Sequence, residues 1–118
     1  MCRILVVDDE VLVAYDVAQI VEDLGATVIG PAHDLERGLA LADTETIDLA
    51  LLDVNLGTHL STPIAERLRD RGIPFVVISG YNRAHIPAVL AGAELLRKPC
   101  TPEAIRRVLT AMRQAKSA

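Results

Sequence analysis

Cysteine is scarce. Two in 118 residues are too few for a disulfide framework, and the interval between Cys2 and Cys100 matches no zinc pattern. Both are expected as reduced thiols, because the sheet derived below puts them at opposite ends of non-adjacent strands, beyond the roughly 7 Å Cα separation a bridge permits. No apolar segment approaches the roughly 20 residues of a membrane span. No charged N-terminal region leads into a long hydrophobic stretch and a cleavage site, so the expected setting is the cytoplasm, with no membrane contact. Basic residues are outnumbered, 12 Lys and Arg against 16 Asp and Glu, giving a formal net charge of -4 and a pI near 5.3. That balance argues against sequence-independent binding to nucleic acid, which needs clustered positive charge. Arg67, Arg69, Arg71, Arg106 and Arg107 read instead as solvated helix faces. His33, His59 and His85 fall in separate connecting segments with no paired metal spacing. Linkers, internal repeats and low-complexity stretches are lacking too, so residues 1–118 read as one domain without an output domain. Its 51% hydrophobic and 24% charged residues suit one globular core.

What is present is a regular alternation of short β-rich runs with helical patterns, the signature of βαβ units and a parallel sheet. The spacing predicts strands over Arg3 to Val7, Thr27 to Ile29, Leu49 to Leu52, Phe75 to Ile78 and Glu94 to Arg97. A helix from about Glu10 to Leu24 puts Val13, Val17, Ile20, Val21 and Leu24 at core spacing and stops at Gly25. Asp34 reads as the N-cap of a helix to about Ala42. Ser61 or Thr62 caps a third, with Pro63 in its first turn and Gly72 after its end. A last amphipathic helix from Pro102 to about Arg113 buries Ile105, Val108, Leu109 and Met112. Five strands and about five helices with right-handed crossovers make a three-layer, doubly wound α/β fold.

Carboxylates end two of these runs: Asp8 and Asp9 after Ile4-Leu5-Val6-Val7, and Asp53 after Leu49-Ala50-Leu51-Leu52. In a parallel sheet both ends lie at the edge where open α/β folds place their ligand crevice. At 5 to 6 Å each like-charge pair costs roughly 3 kcal/mol at an effective dielectric of about 20, so the cluster calls for a divalent cation. Ser79 and Lys98 reach the same edge from the next two strands. Singly, each has a plain structural role: Asp8 or Asp9 as a cap, Asp53 and Ser79 in turns, Lys98 as a surface lysine. Together, each after its own strand, they point to chemistry.

Val6-Val7-Asp8-Asp9-Glu10, Leu51-Leu52-Asp53-Val54-Asn55-Leu56, Ile78-Ser79-Gly80 and Arg97-Lys98-Pro99 resemble, in order and spacing, the landmarks of the receiver domain of two-component response regulators. The resemblance implies a flavodoxin-like (CheY-like) five-stranded parallel sheet of order 2-1-3-4-5, and Asp53 as acceptor of a phosphoryl group from a sensor histidine kinase or histidine phosphotransferase. It further implies Mg²⁺ (or Mn²⁺) held by Asp9, Asp53 and the Asn55 backbone carbonyl, with Asp8 acting through metal-bound water. Lys98 and Ser79 would bind phosphoryl oxygens, and a cis peptide between Lys98 and Pro99 would aim the lysine inward. Such a set neutralises the transferring oxygens, without which a carboxylate is a poor nucleophile toward phosphorus.

The chain departs from the family in places. The strand-five position that commonly carries a Tyr or Phe switch is Leu95. Pro74-Phe75-Val76-Val77-Ile78-Ser79-Gly80-Tyr81 partly resembles the Pro-Phe-x-Phe-Ala-Thr-Gly-Tyr signature of stand-alone stress-response receivers, with Tyr81 as the alternative mobile aromatic beside Ser79. The interval from Ser79 to Lys98 is short and contains Pro87, so a helix of little more than one turn is expected, with Tyr81 to Ala91 as the output segment. Val11, Leu12, Tyr15 and Ala18, outside the core stripe of the first helix, form an expected docking face for a kinase or phosphotransferase helix bundle. Cys100 is expected as a buried small apolar residue.

The expected function is a stand-alone response regulator, not a conventional enzyme, acting on an unidentified downstream protein as a monomer or weak dimer. Two alternatives stand beside it. An aspartate-nucleophile phosphohydrolase normally carries Asp-x-Asp, whereas Asp53-Val54-Asn55 lacks the second acid. A phosphorylation-independent docking module would keep the pocket for stability alone.

Overall fold

A computed structural model of the chain describes residues 2–57, 59–80, 93–98 and 100–117. In chain order its elements are β1 (Arg3–Val7), α1 (Val11–Asp23), β2 (Thr27–Ala32), α2 (Leu35–Thr44), β3 (Leu49–Asp53), β4 (Asn55–Leu56), β5 (His59–Leu60), α3 (Thr62–Asp70), β6 (Phe75–Ser79), β7 (Glu94–Arg97) and α4 (Pro102–Ser117). Five strands form one parallel sheet in the order β2-β1-β3-β6-β7. For the five strands expected from the sequence, that is 2-1-3-4-5.

Successive strand residues face opposite ways, and the apolar runs therefore feed two cores. Leu5, Val7, Ala50, Leu52 and Val77 pack with Leu41 of α2 and Ile64 and Leu68 of α3. Ile4, Val6, Leu49, Leu51 and Ile78 pack with Val17 and Val21 of α1 and Ile105 and Leu109 of α4. The central strand β3, Leu-Ala-Leu-Leu-Asp, is buried along its whole length, as a strand covered on both faces must be. Each fully buried Leu, Ile or Val side chain contributes about 1.5–3 kcal/mol, so these layers fix the register that aligns the strand ends.

The helix boundaries follow their local chemistry. Asp34 Oδ1 accepts from the Arg37 N–H at 2.8 Å, the N-cap bond expected of it. The Ala26 N–H donates to the Val21 carbonyl at 3.2 Å and that of Gly25 to Glu22 at 2.9 Å, closing α1 around a Gly25 with φ of +86°.

Three differences from the expected elements have physical causes. Strand β2 continues past Ile29 to Ala32, because it is an edge strand and tolerates Pro31, which lacks an N–H. The Gly30-Pro31 peptide is cis, and the pairing with β1 shifts between Leu5 and Val7. A hairpin not foreseen, β4 against β5 with Asn55 opposite Leu60 and Leu56 opposite His59, follows β3; two-residue strands leave no periodicity to detect. Helix α4 runs on to Ser117, past Arg113, for nothing between them breaks a helix. Four of the about five helices expected stand among the described residues. The remaining one, and the output segment expected over Tyr81 to Ala91, lie outside the described residues.

Gly30 is the tightest backbone position, with φ of +96°. A Cβ there would sit 2.8 Å from the Ala32 nitrogen and 3.3 Å from the Val6 carbonyl oxygen, both backbone atoms. At Gly25 a Cβ would meet nothing within 4 Å. Gly30→Ala is therefore expected to lower stability by about 2–3 kcal/mol and Gly25→Ala by only about 1 kcal/mol. Urea denaturation of both variants checks this; equal losses would count against steric crowding at Gly30.

Candidate functional site

The register that joins the strands also assembles the site. Val7 pairs with Leu52, Asp53 with Ile78 and Ser79 with Arg97, so the residues next in line, Asp8, Asp53, Ser79 and Lys98, emerge at one edge. Asp8, Asp53 and Ser79 are buried at 2%, 6% and 1% exposure. Carboxylate oxygens of Asp8, Asp9, Glu10 and Asp53 lie within 4.8 Å of one another.

Short contacts hold each acid in place. Asp8 Oδ1 accepts from the Glu10 N–H at 2.9 Å, and the Asp8 N–H donates to the Ala32 carbonyl at 2.9 Å. Asp9 Oδ2 accepts from the Gly57 N–H at 3.0 Å, tying that acid to the loop of the β4–β5 hairpin. His33 Nδ1 lies 3.1 Å from the Asp8 carbonyl, and its ring packs on Tyr15 with centroids 6.0 Å apart. Lys98 donates its backbone N–H to the Ser79 carbonyl at 3.1 Å. Its ammonium lies 3.0 Å from Glu10 Oε1, 3.3 Å from Asp8 Oδ2 and 3.4 Å from Asp53 Oδ1.

Burial is the largest cause pushing the Asp53 pKa up to about 8, and the charge of Asp8 adds to it; Lys98 pulls the other way, while contacts with the Asp9 and Asp8 carboxyls raise it further. Burial alone would lower Lys98, but the Glu10 hydrogen bond and the charges of Asp53 and Asp8 outweigh it and hold the ammonium above its ordinary range. Burial also pushes the Cys100 thiol up, against the pull of Lys98. Among the described residues, three of the four clustered carboxylates, Asp8, Glu10 and Asp53, share the Lys98 ammonium. Asp8 Oδ2 is buried with no hydrogen-bond donor, and the Lys98 ammonium lies 3.3 Å away. An all-oxygen donor set with an unsatisfied buried carboxylate oxygen fits a hard divalent cation such as Mg²⁺.

Of the residues expected at the site, Asp8, Asp9, Asp53 and Lys98 come together, and Ser79 ends its strand beside them. Asn55 starts β4, half-buried, two residues after Asp53. Tyr81 and Pro99, and with Pro99 the expected cis peptide after Lys98, lie outside the described residues. Leu95 is half-buried and packs on the α2–α3 side of the sheet. On α1, Val11, Leu12 and Tyr15 are exposed at 48%, 80% and 57%, but Ala18 is 6% exposed. Ala18 is therefore removed from the docking face: it belongs to the buried stripe Ala14, Val17, Ala18 and Val21, whose intervals of three and four follow the helix turn. Both cysteines are free thiols, and Cys100 is half-buried rather than fully so.

Three contributors escaped the sequence reading. Glu10 follows the acid pair directly, and its place at the start of α1 on the same edge was the available signal. The Gly57 N–H and the His33 ring act through contacts across the fold that no local spacing encodes.

Without a divalent cation, the raised Asp53 pKa means the folded state binds this proton more tightly than the unfolded chain, whose value is near 3.8. The associated stability is present in full below about pH 4 and is lost as pH rises through about 8. Metal-free protein is thus expected to weaken from pH 5 to pH 8. Asp53→Asn should flatten the trend and stabilise the metal-free protein at pH 8 by about 1–3 kcal/mol, while Mg²⁺ restores the wild type alone. Urea denaturation at the two pH values, with and without Mg²⁺, reads this; a wild type indifferent to pH and Mg²⁺ would contradict it.

Comparisons with known proteins agree with this architecture. The family model for the response regulator receiver domain matches residues 4–110. The solution structure of SdrG from Sphingomonas melonis Fr1 is similar at 35% identity, covering 95% of this chain and 96% of that one, with a TM-score of 0.82. A response regulator from Burkholderia pseudomallei, crystallised with a phosphorylated aspartic acid, calcium ion and citrate, is 27% identical over all of this chain and 74% of that one, with a TM-score of 0.81. The transcriptional regulatory protein PdtaR of Mycobacterium tuberculosis (strain CDC 1551 / Oshkosh) is 27% identical over 69% of this chain and 40% of its own length. The chain spans between 40% and 51% of the curated relatives it matches. With the family model spanning nearly the whole chain and the acids gathered at the sheet edge, this protein belongs to the response regulator receiver domain family.

Proposed function

We propose that the chain accepts a phosphoryl group on Asp53 in an Mg²⁺-dependent reaction, taking it from the phosphohistidine of a sensor kinase or histidine phosphotransferase. The observation that carries this is the placement of Asp53: a buried carboxylate among Asp8 and Asp9, with the Lys98 ammonium 3.4 Å from its Oδ1. The phosphorylated aspartic acid and calcium ion in the Burkholderia pseudomallei relative support the same assignment.

Asp9, Asp53 and the Asn55 carbonyl would hold the cation directly, and Asp8 through water. When bound, Mg²⁺ supplies positive charge that keeps Asp53 ionised and neutralises phosphoryl oxygens. Asp53 then attacks phosphorus in line; the new bond joins its carboxylate oxygen to phosphorus, the phosphorus–nitrogen bond breaks, and the imidazole leaves. Lys98 neutralises a second phosphoryl oxygen, and the Ser79 hydroxyl donates to another. Catalysis on this reading is positioning and charge stabilisation, as expected for phosphoryl transfer.

Val11, Leu12 and Tyr15 make an exposed apolar patch at the start of α1, directly after the acid pair. The donor's helix bundle docks there, which brings its phosphohistidine to the same sheet edge. The phosphorylated form switches the binding of a downstream protein or passes the group on.

Intact-protein mass spectrometry after incubation with a small phosphodonor, with and without Mg²⁺, tests the assignment. One phosphoryl group is expected on the wild type with Mg²⁺, none on Asp53→Ala, and a rate lower by on the order of 10²-fold for Lys98→Ala, the scale of losing one charge-stabilising donor. The same adduct on Asp53→Ala would move the acceptor elsewhere. Turnover of the donor without any trapped adduct would favour a phosphohydrolase.

A further inference from the structure

Glu10 has no part in the phosphoryl chemistry above, yet it is the acid that Lys98 approaches most closely. Lys98 Nζ donates to Glu10 Oε1 at 3.0 Å, inside its 3.3 Å and 3.4 Å charge contacts with Asp8 and Asp53. The Glu10 side chain is 61% exposed, whereas those of Asp8 and Asp53 are 3% and 9%. Lys98 therefore makes its aligned bond to the acid at the pocket rim. The backbone from which Glu10 reaches out is fixed on both sides: its N–H donates to Asp8 Oδ1 at 2.9 Å, and its carbonyl accepts from the Ala14 N–H at 2.9 Å.

We propose that Glu10 is a positioning residue that holds the Lys98 ammonium at the rim while Asp53 is unmodified and releases it when a phosphoryl group arrives. This rests on the assignment of Asp53 as acceptor. A lysine ammonium is a compact charge on a flexible stem and swings between partners without losing donors. An incoming phosphoryl group offers it oxygens deeper in the pocket, so one present partner must be given up. The exposed one is the cheapest to leave, because water replaces the lysine there and exposed ion pairs are weak. A buried partner would be left as an uncompensated charge. Glu10 thus acts as a removable restraint on the group that neutralises the transferring oxygens.

The test follows the rate of adduct formation with phosphoramidate at saturating Mg²⁺ for wild type, Glu10→Gln, Lys98→Ala and the double variant, the slow ones over longer times, in dilute and concentrated salt. In dilute buffer Glu10→Gln is expected to react about two- to fivefold faster than wild type, the factor set by losing one exposed pair. The gap should close near 1 M salt, where the screening length falls to about 3 Å. In the Lys98→Ala background the same change should have no effect. A role confined to stability would give neither the salt dependence nor its disappearance with the lysine. An equal or slower rate for Glu10→Gln overturns the proposal, and so does a gain that persists without Lys98, which would place the effect on the cation instead. A wild type that forms no adduct takes down the acceptor assignment and this inference together; an adduct with unchanged rates takes down this inference alone.

Discussion

Repulsion among carboxylates gathered at one sheet edge is the constraint on which the rest of the site depends. Asp8 and Asp53 are buried side by side, and Asp9 and Glu10 crowd the same few ångströms. Among the described residues, the Lys98 ammonium contacts Asp8, Glu10 and Asp53. The shortfall can be met in two ways, by a proton on Asp53 or by a divalent cation among the oxygens. Proton and cation therefore compete for the same carboxylate. On the function proposed above, a cation held there would bring its own charge and keep the Asp53 carboxylate ionised, so binding it and preparing the acceptor would be one event.

The fold can afford this crowding because the strands beneath it are so well buried. Each like-charge pair at this spacing costs roughly 3 kcal/mol, and each large side chain in the double-sided core contributes about 1.5–3 kcal/mol. Ile4, Leu5, Leu51, Leu52 and Ile78 are all 2% exposed or less. Sliding one strand by a single residue would separate the acids, but it would also turn every core side chain on that strand to the wrong face. Packing therefore wins over repulsion, and the acids are held by residues that take no part in their chemistry.

Those same runs explain how much could be read without a structure. Apolar runs of four residues before Asp8, Asp53 and Ser79, with the shorter Leu95-Leu96 pair before Lys98, mark both the parallel sheet and the edge at which these residues meet. What escaped depended on contacts between distant segments or on elements too short to have a period. The β4–β5 hairpin has two residues a side, and its link to Asp9 runs through a backbone N–H of Gly57 that any residue but proline also carries. Ala18 is ambiguous in the sequence because alanine is small and sits comfortably on either side of a helix; its interval from Ala14 and Val21 marks it as inward. The strand expected over Thr27 to Ile29 runs on through Gly30-Pro31, which at a sheet edge is a bend that the strand survives.

That bend has a bearing on how copies of the molecule meet. An outermost strand ordinarily offers a ladder of donors and acceptors on which a neighbouring chain can add itself. Here β2 is outermost, and its second half is interrupted by a shift in pairing and by a proline with no hydrogen to donate. Edge-to-edge addition of a further strand along the second half of β2 is thereby blunted by the backbone itself.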